Sequence, residues 1–339
     1  MNRPVNEQVV VITGASSGIG RETALEFGKC GASVVLAARN ETALNEVASE
    51  IELAGGKAHA VVTDVAEWPQ VEHLAQEAVT RFGRIDTWVN DAAVAEYATV
   101  EEMSIEEIDR IIQVNLLGTI YGMKAALPHL KQEDSGTIIN VSSVLGARAV
   151  PLQAAYTAAK FGVRGFADSM RMELEHEGSN VHITTILPSS INTPFFDHAR
   201  SKMGAEPKPI PPIYEPSAVA EAILFAAENP RREIVIGAAG KMMTMMQRIS
   251  PSFTDRYMLI GGQMFKQQKS DRPNGHQDNL FTPSKGMGSS TGEFGGRMTQ
   301  SRSLYTHFLG LHPNRGKAAL AAGAGGVLGA VALKRRTSN

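Results

Sequence analysis

The chain has 339 residues, 43% of them hydrophobic, and a formal net charge of −2, enough to bury a full core as one large domain or two ordinary ones. From Lys266 onward 11 Lys or Arg stand against Asp271, Asp278 and Glu293, so this part carries +8 and the first 265 residues −10; an acidic body argues against a nucleic-acid-binding core, and the basic tail is either solvated or turned toward an anionic surface. Cys30 is the only cysteine and the nine histidines show no metal-ligand spacing, which excludes an intrachain disulfide and a cysteine-based metal cluster and suggests no metal site.

The apolar run 9–12 is too short for a signal-peptide core and leads straight into a glycine turn; it reads as a first strand, in a protein expected in the cytoplasm. Similar short aliphatic or β-branched runs follow at 33–38, 58–63, 85–89, 137–141, 181–187 and 234–236. Between them lie helical stretches, among them 21–31, 40–54 ending at Gly55-Gly56, and one opened by Ser104 with Glu107 as a capping box. Short, wholly apolar strands alternating with helices predict βαβ units and an α/β doubly wound, mostly parallel sheet, a Rossmann-type fold.

Beyond 237 the rhythm fades. Residues 241–265 mix Met242, Met243, Met245 and Met246 with a Ser250-Pro251-Ser252 break, predicting one or two short helices packed as core or interface. Gly, Ser, Pro, Asn and charged residues dominate 266–302, a composition that predicts no fold of its own. The apolar run 318–333, followed by Lys334, Arg335 and Arg336, spans only about 24 Å as a helix, short of a hydrocarbon core of about 30 Å. The expected organisation is a catalytic domain at 1–240, a helical extension at 241–265, a disordered basic linker at 266–317 and an apolar segment at 318–339. Weak contact with a membrane surface is the alternative to a free tail.

The first βα turn reads Thr13-Gly14-Ala15-Ser16-Ser17-Gly18-Ile19-Gly20. Glycines there let the chain turn tightly and let a pyrophosphate approach bare backbone at a helix N-terminus. After the second strand comes Ala38-Arg39, where a fold selective for NAD would keep an acid; an arginine pairs instead with a 2′-phosphate, which favours NADP(H) over NAD(H). Further on, Ser142 and Ser143 close the strand 137–141, and Tyr156 and Lys160 follow four residues apart, on one helix face.

The glycine spacing and the block from Ile138 to Lys160 resemble the short-chain dehydrogenase/reductase family over about residues 8–237. The resemblance implies hydride transfer between a nicotinamide cofactor and a carbonyl or secondary alcohol, with Ser143, Tyr156, Lys160 and Asn115 as the catalytic set. Tyr156 would be the proton donor or acceptor, Ser143 a donor to the substrate oxygen, Lys160 the holder of the nicotinamide ribose, and Asn115 the anchor of a water leading to that lysine. It further assigns to the cofactor Gly14, Ser16, Ser17, Gly18, Ile19, Gly20, Asp64, Val65, Asn90 and Ala92, together with Pro188, Ile191 and Thr193. Asp91, Ala93 and Ser189 depart from the family pattern. A homodimer or homotetramer is implied, paired through helices at 104–130 and 156–177. Two alternatives are a cofactor-binding scaffold or sensor without turnover and a membrane-surface reductase of lipid-like substrates.

Overall fold

The computed structural model describes residues 2–311 apart from 263, 266–268, 274–276, 287, 296–298, 302 and 304. The apolar run 318–333 lies outside the described residues.

Seven strands, β1 (Val9–Thr13), β2 (Ser33–Ala38), β3 (Lys57–Val62), β4 (Thr87–Asn90), β5 (Gly136–Val141), β6 (Val181–Pro188) and β7 (Glu233–Ile236), form one sheet. All pairs are parallel, in the order β3-β2-β1-β4-β5-β6-β7. Chain direction across the sheet reverses between β1 and β4, and the carboxyl ends of these two strands open the crevice where ligands bind in doubly wound folds.

Helices α1 (Gly18–Lys29), α2 (Glu41–Leu53) and α7 (Pro216–Glu228) cover one face; α3 (Trp68–Phe82), α4 (Ile105–Ile112), α5 (Gly118–Gln132) and α6 (Ala154–His176) cover the other. Strand residues divide between them by alternation: Val10 and Ile12 pack with Phe27 and Leu44, whereas Val11 packs with Leu74 and Ile111. Because both faces are covered, β1, β4 and β5 are buried throughout, which is why their sequences are continuous rather than alternating apolar runs. Asn40 caps α2 by accepting from the Ala43 amide, and Ser104 and Glu107 form the expected capping box on α4.

The sheet's centre holds a buried polar relay. Trp88 Nε1 donates to Asn90 Oδ1 at 2.8 Å, and Asn90 Nδ2 donates to Asn140 Oδ1 at 2.9 Å. Gly122 on α5 makes room for it: a Cβ there would lie 2.0 Å from Asn90 Oδ1 and 2.6 Å from Trp88 Nε1.

Past the sheet the expected short helices are α8 (Ala238–Ile249) and α9 (Pro251–Leu259), with Ser250 capping the second. Residues 278–286 and 288–295 lie along the open edge of the crevice, and 299–300 pair in parallel with Ile213–Tyr214. Backbone hydrogen bonds and isolated apolar plugs, Leu280 and Leu311, seat this part of the chain. Neither leaves a periodic signature, so a composition rich in Gly, Ser and Pro predicts no fold where the structure shows a docked path.

Gly122→Ala is expected to destabilise the protein by about 2–4 kcal/mol in urea unfolding, because the added methyl must break a buried hydrogen-bonded pair or shift α5; an unchanged midpoint would show that the relay does not brace the sheet.

Candidate active site

At the end of β1 the chain turns through Gly14 (φ +75°) and Gly18 (φ +58°). A Cβ on Gly14 would meet Ala92 N at 2.8 Å, and one on Gly20 would meet Gly14 O at 2.4 Å. The turn is thus pressed against the β4 loop, with Thr13 Oγ1 accepting from the amides of Asp91 and Ala92. What remains is a backbone cradle at the N-terminus of α1, in which Ser16, Ser17, Gly18 and Ile19 line a cavity and the Gly18 amide donates to Ser289 O at 2.8 Å.

That cavity, about 730 Å³, runs from Arg39, Asn40, Asp64 and Val65 at one end to Pro188, Ile191 and Thr193 at the other. At the first end Arg110 Nη2 binds Asp64 Oδ2 at 2.7 Å, while the Ala66 amide donates to the other oxygen of Asp64. Arg39 donates to the carbonyls of Asn279 and Phe281, and burial lowers its pKa. At the other end stands Ser189, where the family pattern has glycine; its hydroxyl is buried with no protein partner among the described residues, and a Cβ on Gly237 would lie 2.6 Å from it.

Midway along the cavity β5 ends at Ser142-Ser143 and α6 begins. Ser143 hydrogen-bonds Tyr156 and accepts from the Leu145 amide. Lys160, one turn after Tyr156, is only 2% exposed and donates from Nζ to the Val141 carbonyl at 2.9 Å. Its Nζ lies 5.5 Å from the centre of the Tyr156 ring. Burial raises the pKa of the Tyr156 phenol, the Ser143 hydrogen bond opposes this, and the Asp91 charge adds to it. Burial lowers that of Lys160, and the Asp91 charge pushes it back up. Asp91, in place of an amide, is itself raised by burial against the opposing Lys160 charge and a hydrogen bond from the Gly20 amide. Ser143, Tyr156 and Lys160 therefore meet at one place beside Asp91.

Two expected residues sit elsewhere. Asn90 spends its side chain on Trp88 and Asn140 inside the sheet. Asn115, in a π turn (Gln113–Leu117) between α4 and α5, clamps Val94: its Nδ2 donates to Val94 O and its Oδ1 accepts from Val94 N. Only its backbone carbonyl, which accepts from Thr119 Oγ1 at 3.0 Å, points to other work.

Other lining residues carry no motif. Tyr97 hydrogen-bonds Gln153 beside Tyr156, and burial raises its pKa. Phe195 meets the Tyr156 ring edge-on at 5.7 Å. The methionine stretch, expected in core or interface, instead puts Met242, Met243 and Met246 into the cavity wall, joined by Met258 from α9. The run of methionines was visible in the sequence; the face it presents was not.

The family model described as short chain dehydrogenase matches residues 8–204. An uncharacterized oxidoreductase of Bacillus subtilis, YxnA, is 40% identical over 306 residues, 90% of this chain and 85% of that one; a match of that length runs on into the C-terminal segment. The putative oxidoreductase SadH of Mycobacterium tuberculosis is 31% identical over 75% of this chain and 95% of its own. Among solved structures, an alcohol dehydrogenase from the archaeon Thermococcus sibiricus, complexed with 5-hydroxy-NADP, aligns with a TM-score of 0.59 at 27% identity, covering 68% of this chain and 95% of that one. With the sheet order, the glycine cradle and the Ser-Tyr-Lys cluster in agreement, the chain belongs to the short-chain dehydrogenase/reductase family of oxidoreductases.

Proposed function

We propose that the protein is an NADP(H)-dependent oxidoreductase that interconverts a bulky, largely apolar carbonyl compound and its secondary alcohol. The observation that carries this reading is the convergence of Ser143, Tyr156 and Lys160 midway along a cavity with a backbone cradle for a pyrophosphate at its side. The cradle suits a dinucleotide because the backbone of Ser16, Ser17, Gly18 and Ile19 lines the cavity at the N-terminus of α1, while Gly14 and Gly20, whose Cβ atoms would strike Ala92 and Gly14 O, let the turn close against the β4 loop.

When bound, the cofactor supplies or takes up a hydride. The chain's own residues handle the proton. In reduction, Tyr156 gives the phenolic proton to the carbonyl oxygen and Ser143 donates a hydrogen bond to the same oxygen as charge develops on it. Lys160, fixed by the Val141 carbonyl, holds a positive charge beside the tyrosine and would grip the nicotinamide ribose. The backbone at Ser189, Ile191 and Thr193, which line the cavity, would hold the carboxamide end. Phe195, Met243, Met246 and Met258 line the remaining wall, which favours an apolar substrate and adapts to its shape.

Arg39 is the basis for preferring NADP(H). A guanidinium has five N–H donors, and two carbonyls use only part of them; the rest suit a 2′-phosphate. Fluorescence titration with both cofactors should show wild type binding NADPH more tightly, and Arg39→Ala should lose roughly 10- to 100-fold in NADPH affinity, the worth of hydrogen bonds to a charged group. An equal loss for NADH would count against this assignment.

The raised Tyr156 pKa sets the pH dependence. Reduction needs the protonated phenol, so its kcat should stay level through neutral pH and fall only on the alkaline side; oxidation needs the phenolate and should rise with pH. Tyr156→Phe should abolish both while leaving NADPH binding within about twofold. Residual turnover near the wild-type rate would favour another proton donor.

We also propose a homodimer or homotetramer. Ile105 on α4 and Phe161 and Met172 on α6 are 67%, 43% and 63% exposed, and the last two share one side of their helix, apolar surface suited to a second copy. Light scattering should return two or four chains, and Phe161→Glu should lower that number; a wild-type monomer would refute it.

A further inference from the structure

The C-terminal segment is long, basic and poor in periodic apolar residues, yet it follows the whole crevice. Its path begins at Asp278, which pairs with Arg200 through two contacts of 3.0 and 3.2 Å. Leu280, with no exposed surface, plugs into the core cluster under α4. Its carbonyl accepts from Arg110 at 3.1 Å, and Phe281 lies 5.1 Å beneath the Arg200 guanidinium.

From there each successive stretch meets a residue of the dinucleotide crevice. Arg39 donates to the carbonyls of Asn279 and Phe281, and Asn40 Nδ2 to those of Ser284 and Gly286 at 2.8 and 3.0 Å. The Gly18 amide donates to Ser289 O at 2.8 Å. At the far end the amides of Gly292 and Phe294 donate to the backbone and side-chain oxygens of Asn192, and Phe294 stacks edge-on against Phe196 at 6.0 Å. The order of contacts, Arg39 to Gly18 to Asn192, is the order of adenosine, pyrophosphate and nicotinamide positions.

The cavity is not filled by this segment. Asn279, Pro283 and Ser284 line the same space as Arg39, Asn40 and Asp64, so 278–286 wall the cavity at that end, while 288–295 are latched to Gly18 and Asn192 beside it. Two glycines allow the close fit: a Cβ on Gly288 would meet Ser16 O at 1.9 Å, and one on Gly292 would meet Thr193 O at 2.6 Å.

We propose that residues 278–286 and 288–295 are a strap, the first part walling the Arg39 end of the cofactor site and the second latched beside the α1 turn and Asn192, so that the dinucleotide enters and leaves only when the strap lifts. This rests on the reading of the crevice as a dinucleotide site. Most of the latches are backbone carbonyls or amides of the strap, so docking depends largely on fit; strap side chains add the Asp278 ion pair, the Leu280 plug and the ring contacts of Phe281 and Phe294. Arg39, with donors for both a carbonyl pair and a phosphate, ties the strap to the cofactor.

The test uses the full-length chain with Gly288→Val or Gly292→Val, which obstruct docking without touching the core, and Gly295→Ala as a control, whose Cβ would meet nothing closer than 3.6 Å. Hydrogen exchange at the amides of Asn279, Gly288, Gly292 and Phe294, all donors to the body, reports docking without any cofactor. Stopped-flow fluorescence reports NADPH association and dissociation.

In wild type and the control the amides should be protected, and the association rate should level off with NADPH concentration at the rate of strap opening. In the valine variants protection should fall at least tenfold, the plateau should vanish and dissociation should quicken at least tenfold. Binding seen only in the valine variants would equally support the strap, as a wall shut in wild type. Lost protection with unchanged NADPH kinetics would overturn it, as would strap amides unprotected in wild type. Failure of every form to bind NADPH, with the strap amides protected, would instead overturn the dinucleotide reading.

Discussion

The buried ammonium of Lys160 is the constraint around which the site is arranged. A charge almost out of water is costly unless hydrogen-bonded and balanced. Its direct partner is the neutral Val141 carbonyl at 2.9 Å, which the sheet can offer because β5 ends there. Ser142 Oγ in turn donates to the Lys160 carbonyl at 3.2 Å, fastening that turn of α6 to the strand end. The charge that reaches the lysine is that of Asp91, across the crevice. An amide at position 91 would offer hydrogen bonds but no counter-charge. The carboxylate lets the lysine stay cationic in a site that desolvates it, and it raises the neighbouring phenol at the same time. Burial does most to hold the Tyr156 phenol in its protonated form, and the Asp91 charge adds to it.

Much of this arrangement is written in the sequence in forms that spacing can reveal. Unbroken apolar strands announce a sheet covered on both faces, and the four-residue interval from Tyr156 to Lys160 fixes their shared face once α6 is a helix. Capping at Asn40 and Ser104 is legible for the same reason, since a side chain closes a ring with an amide three residues on. Asn90 and Asn115 show where such reading stops. Each fits a motif assigned to the cofactor or the proton path, yet their side chains are committed to Asn140 and Val94, partners 50 and 21 residues away that no local pattern announces.

The docked C-terminal segment was illegible for a different reason. Composition measures how much apolar surface a segment can bury, and by that measure residues 266–302 cannot fold alone. Within them, 278–286 and 288–295 dock without doing so: most of their latches are backbone groups, which every residue carries, and the surface they bind is already folded. Glycine and serine, signs of disorder in isolation, are here the residues small enough to lie against Ser16 and Thr193. The methionines of α8 and α9 fall under a similar limit, because an amphipathic face reads the same whether it meets a core or a cavity.

These two later parts of the chain divide the crevice between them. The methionine helices wall the end where Tyr156 stands, and the docked segment walls the end where Arg39 stands, so elements outside the matched stretch 8–204 enclose both halves of a site whose chemistry lies within it. A buried phenol keeps its high pKa only while water stays out, and Phe195, Phe196 and Phe294 form an edge-to-face series from the Tyr156 ring to the docked segment. The docked segment therefore touches the surroundings of Tyr156 through packed rings as well as lining the Arg39 end, so both later parts of the chain help to keep the phenol out of water.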